Sequence, residues 1–225
     1  MALPKLNTPT YELELPSTAE KIKYRPFLVK EQKVLMMAQD SGEDQQIAEA
    51  MGNLVSSCTF GKVDAETSPM FDLEYVFLKV RGKSVGETVQ LSLICPDDEK
   101  TTVPVNLKLD DIEVQMLDNH TNEINISESV KVVFRYPLLN DMKSMDKDST
   151  DIQKVFHFLV NCMHEIHYDD DVYRRIDLKD KEIEDFIDQF TGEQFELITN
   201  FFNSMPKLRH TVEVTNPKTK VKSEV

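Results

Sequence analysis

PMFDLEYVFLKVRGKSVGETVQLSLICPDDEKTTVPVNLKLDDIEV, residues 69–114, is the stretch from which the fold is read. Ser68 and Pro69 mark a helix start, because a serine caps free N–H groups and proline has none to lose in the first turn. Met70, Leu73, Val76, Phe77 and Val80 recur at helical spacing, with Gly82 as the expected stop. After Gly86 the period becomes two. Val89, Leu91, Leu93 and Cys95 point one way, Thr88, Gln90 and Ser92 the other. Pro96 to Lys100 makes a turn, and Val103, Val105, Leu107 and Leu109 repeat the alternation. One helix feeding a β-hairpin with a single apolar face is the expected centre of the fold.

Working outward, Tyr11, Leu13 and Leu15 alternate, Pro16-Ser17-Thr18 turns the chain, and Ile22, Tyr24 and Phe27 return, which predicts a first hairpin. Two helices follow. Val29 to Gln39 carries Val34, Leu35, Met37 and Ala38 on an apolar side. Ser41 and Asp44 fit a capping box for the second helix, striped by Ile47, Met51, Leu54, Val55 and Cys58. Beyond the central unit, Ile124 with Ile126 and Val130 to Tyr136 predict strands, antiparallel because their connections are short. After residue 150 the pattern turns helical, with Thr150 and Gln153 as a capping-box candidate and Thr191 with Gln194 starting a later helix. Ile152, Val155, Phe156, Leu159 and Met163 form one stripe; Leu178, Ile183, Phe186, Ile187 and Phe190 form a second; Phe195, Ile198, Phe202 and Met205 form a third. Arg209 to Thr215 reads as a last strand before a lysine-rich frayed tail, and the sequence shows no internal repeat. The expected class is α+β: an N-terminal domain over 1–139, a linker over 140–150, and a mainly helical subdomain over 151–225.

The chain has 225 residues, 40% of them hydrophobic, enough for a real core. Its formal charge of -14 argues against nonspecific nucleic-acid binding, since phosphates repel such a surface. Lys21, Lys23 and Arg25 alternate as a solvated strand face would. The three cysteines, Cys58, Cys95 and Cys162, form no Cys-x-x-Cys pair and sit in apolar patterns, which reads as buried free thiols in a reducing cytosol. No apolar run reaches the roughly 20 residues that span a bilayer, so no membrane contact is expected.

Candidate chemistry is sparse. Gly82-Lys83-Ser84 invites a phosphate-loop reading, but the position of the earlier glycine is Phe77, inside a predicted helix. Cys162, His164 and His167 lie close together, and on a helix the two histidines share a face. His164-Glu165-Ile166-His167 is nevertheless one residue short of the zincin spacing, and Asp169-Asp170-Asp171 lacks the alternation of a calcium loop. No catalytic residue, cofactor, metal or small-molecule substrate is expected. Apolar arcs wider than one stripe suggest partner contacts instead, at Phe71, Tyr75 and Leu78 on the central helix and at Phe201 within Phe195–Met205.

Three groups of words resemble the T-even-like bacteriophage baseplate family, which includes the baseplate hub, or central spike complex, subunit and the hub assembly catalyst. They are Tyr24 to Leu35, Pro69 to Arg81 with Lys83 to Glu87, and Cys95-Pro96-Asp97 with Leu109 to Val114. The resemblance covers about the first 135 residues and supplies no active-site residues. It implies a non-enzymatic structural part of a contractile tail, made in the host cytoplasm and located in the virion baseplate, with other hub proteins as partners. An assembly chaperone that leaves the finished hub is the alternative. A metal-dependent hydrolase using His164 and His167 is the enzyme alternative.

Overall fold

The computed structural model describes residues 6–144 and 150–225. The chain is α+β, with small antiparallel sheets, and divides into two compact units. One comprises Met1–Ala65, Phe71–Gln115 and Lys207–Val225, the other Glu66–Met70 and Met116–Pro206. The expected linker at 140–150 falls within the second unit, and residues 145–149 lie outside the described ones.

The first unit opens with β1 (Tyr11–Glu14) and β2 (Lys21–Tyr24), paired so that Leu13 faces Ile22. Helices α1 (Val29–Ser41) and α2 (Asp44–Cys58) follow. Gly42, at φ 67, closes α1 in the left-handed conformation that glycine adopts without strain. The capping box expected from Ser41 does not form. Ser41 is the last residue of α1, and its hydroxyl donates to the Ala38 carbonyl, so Glu43 takes the cap position of α2.

Helix α3 (Met70–Val85) starts where the serine–proline pair predicts but runs past Gly82. Leu73, Val76 and Val80 are fully buried, each contributing about 1.5–3 kcal/mol. Gly82 is buried too, and a Cβ there would meet Leu109 at 3.9 Å, an ordinary contact. The stop is Gly86, at φ 123, whose N–H donates to the Gly82 carbonyl. The hairpin β3 (Thr88–Ile94) and β4 (Thr102–Lys108) pairs over its full length, opposing Val89 to Leu107, Leu91 to Val105 and Leu93 to Val103. A short 3-10 turn then leads to β5 (Glu113–Gln115).

In the second unit β6 (Glu123–Asn125) and β7 (Val130–Phe134) form a hairpin, followed by α4 (Leu139–Lys143) and α5 (Asp151–Cys162). Helix α5 begins at the predicted box, Thr150 and Gln153 bonding each other's backbone N–H. It ends one residue before Met163, and the chain turns into β8 (Met163–Tyr168) and β9 (Asp171–Arg174). These strands extend the sheet to the order β6-β7-β8-β9 and replace the helical reading of residues 163–174. Asp169 and Asp170 form their turn, with Asp169 at φ 50. Helices α6 (Asp180–Ile187) and α7 (Gly192–Ser204) contribute Ile183, Ile187, Ile198 and Phe201 to a core shared with Val132, Phe134, Leu159 and Ile166.

The first unit is completed by β10 (Lys207–Arg209), which pairs with β5, and by the hairpin β11 (Glu213–Thr215) and β12 (Lys222–Glu224). The tail expected to fray is therefore ordered. Asn216, 1% exposed, explains it: its side-chain oxygen accepts from the Lys218 and Thr219 N–H groups, while its amide donates to Asp97.

Candidate interaction surfaces

The side chains expected to meet a partner divide by burial. Phe71 is 5% exposed and Phe201 1%, so the chain's own core covers both. Phe201 stacks on Phe134, with centroids 5.1 Å apart, and packs edge-on to Phe202 at 4.9 Å. The phase of α7 is set by Ile198 and Phe201, with Phe195 and Phe202 half-buried at its flanks. Tyr75 and Leu78 are half-buried on α3, and the Lys79 ammonium lies 5.1 Å from the Tyr75 ring centre.

The residues that invited a chemical reading have structural partners. Ser84 donates to the Val80 carbonyl at 2.6 Å and accepts the Phe27 N–H at 2.9 Å. Lys83 pairs with Glu87, so Gly82-Lys83-Ser84 is the end of a helix. His164 and His167 lie on a strand rather than a helix. The register between β7 and β8 shifts at Val133/Phe134, which places His164 in a bulge. His167 pairs with Glu165 at 2.9 Å. Among the described residues no group of three His, Cys, Asp or Glu is placed to hold a metal.

The hairpin β3–β4 presents an aliphatic face in the first unit. Six of its aliphatic side chains, Val89, Leu91, Leu93, Val103, Val105 and Leu107, stand in three cross-strand pairs on one face, and none of them is buried. Leu91, at the middle of the face, is 39% exposed. A two-stranded ribbon gains little stability in water by itself, so an aliphatic face left half-covered invites further packing. The tip is held rigid. Asp98 accepts the N–H groups of Lys100 and Thr101 and the Thr101 hydroxyl, which hold its carboxyl well below the usual range. Asp97, held down by Thr219 and Asn216, ties the tip to the β11–β12 turn.

A second surface escapes the sequence pattern. The spacing on α1 predicts an apolar side of Val34, Leu35, Met37 and Ala38, yet Val34 and Met37 are 52% and 73% exposed, as is Met36 at 55%, and Ala38 and Glu31 are the buried positions. A signal is present: Val34 to Ala38 is an unbroken apolar run, more than one helical face can bury. In the second unit Ile152, Val155 and Phe156 of α5 make a comparable exposed edge. No helix among the described residues is long and apolar enough to cross a membrane.

A comparison with family models matches residues 8–225 to the family described as T4 bacteriophage base plate protein. No curated protein and no solved structure matches the chain.

Proposed function

Because the chain belongs to the T4 bacteriophage base plate protein family, we propose that it is a structural component of the baseplate hub, or central spike complex, of a contractile-tailed phage. In this role it works through protein–protein contacts and catalyses nothing. The observation that carries the reading is the half-covered aliphatic face of β3–β4 on a rigidly tied hairpin. Such a face suits docking, because it needs no rearrangement to bury more apolar area. The chain's charge of -14 disfavours a second copy as the occupant and favours a hub protein with a neutral or basic rim.

Mass spectrometry of purified phage particles and isolated baseplates tests the assignment. The protein is expected in both, at fixed stoichiometry to other hub proteins. Its absence from particles, with co-purification from infected cells alongside hub precursors, would replace this reading with that of an assembly factor that leaves.

A further inference from the structure

We infer that the chain contains one structural module twice, at Tyr11–Cys58 and at Glu123–Cys162. Each copy is an antiparallel hairpin, an arginine, an extended link and two helices. The arginine directly follows the second strand, as Arg25 after β2 and Arg135 after β7, and the residue before it is a buried aromatic, Tyr24 or Phe134.

From that arginine the same bonds run in both places. Its backbone N–H donates to the carbonyl of the cysteine that ends the second helix, Cys58 at 2.9 Å and Cys162 at 2.8 Å. Its Nη1 donates to the carbonyl of the next residue, Pro26 or Tyr136, at 3.0 Å in each case. Its guanidinium pairs with the carboxylate six positions on, Glu31 at 2.9 Å and Asp141 at 2.7 and 2.8 Å. That carboxylate accepts the N–H of Leu28 or Leu138 at 2.7 Å, and the first helix starts at the following residue.

A carboxylate that caps its own helix is a common local device. No local rule makes the same residue bind an arginine whose own N–H reaches the end of a different helix. The clasp satisfies an orphan carbonyl at a helix end and sets the helix pair against the hairpin through a planar five-donor fork. The copies have diverged elsewhere. After Cys58 the chain leaves by a loop, whereas after Cys162 it enters β8, and α1 has 13 residues against 5 in α4. Few shared letters remain, mainly the arginine, the leucine, an acid and the cysteine, which is why the sequence shows no repeat.

Two measurements on the full chain test the inference. In an experimental structure the hairpin, link and second helix of one copy should superpose on those of the other with both arginine–cysteine bonds present. Loss of the bond in either copy would overturn it. By hydrogen exchange, Glu31→Gln should lower protection across Tyr11–Cys58 and spare Glu123–Cys162, and Asp141→Asn should do the reverse. Arg25→Lys and Arg135→Lys, which keep the charge and lose the fork, should repeat that pattern. If either clasp can be cut without effect on its own hairpin and helix pair, the two do not share a role and the inference fails.

Discussion

Arg25 donates to one carboxylate oxygen of Glu31 at 2.9 Å, while the other oxygen of Glu31 accepts the Leu28 N–H at 2.7 Å. Both side chains are nearly buried, at 12% and 9% exposure. Burial pushes the Glu31 carboxyl up, but the Arg25 bond, the Leu28 N–H and the charges of Arg25 and Lys30 outweigh it and hold it below the ordinary value of 4.5. A depressed folded-state pKa gives stability that is full above the ordinary value and is lost as pH falls through the lowered one. Glu31→Gln should cost about 1.5–3 kcal/mol at neutral pH and flatten the acid limb of stability against pH. Urea melts of both proteins at neutral and acid pH check this.

Asp72 should act with the opposite sign. Burial raises its carboxyl above the usual 3.8, although the Ser17 N–H and hydroxyl both donate to it. The folded protein therefore holds this proton more tightly than the unfolded chain, so the group's contribution improves as pH falls through the raised pKa. Asp72→Asn should remove that component, seen as a steeper loss of stability on acidification than in the parent.

The three thiols are expected to be inert in the folded protein. Burial pushes Cys58 up to about 11 and Cys162 up to about 12, and it raises Cys95 as well. All three are free and buried. Iodoacetamide at neutral pH should label none of them in native protein and all three in denaturant, because the thiolate is the reactive form. Fast native labelling of one would show that its surroundings open.

Gly82 and Gly86 make a paired test. Gly82→Ala should stabilise the protein by about 0.5–1 kcal/mol, since the position is helical and a Cβ makes only ordinary contact with Leu109. Gly86→Ala should destabilise it, because φ 123 is strained for any residue with a Cβ. Thermal melts of the two variants should move in opposite directions.

Leu91→Lys addresses the hairpin face. At 39% exposure the substitution should change folding stability by no more than about 1 kcal/mol, while incorporation into particles falls. Normal incorporation of a folded variant would remove β3–β4 as a docking face.

Local pattern was sufficient wherever a stripe or an alternation had one continuous partner. The helix from Met70, the hairpin register opposing Leu91 to Val105, and the caps at Thr150 and Thr191 all follow from period and capping chemistry among near neighbours. Tertiary packing decided the rest. The phase of α7 depends on Phe134 lying opposite Phe201. Residues 163–168 became a strand because β7 offered them an open edge, and ladder bonds to a distant strand leave no trace in a short window; β9 then pairs back on β8 across a tight turn. The two arginine clasps belong to the same class. Burial and long-range hydrogen bonds depend on what the rest of the chain brings near, and no span of neighbouring residues contains that information.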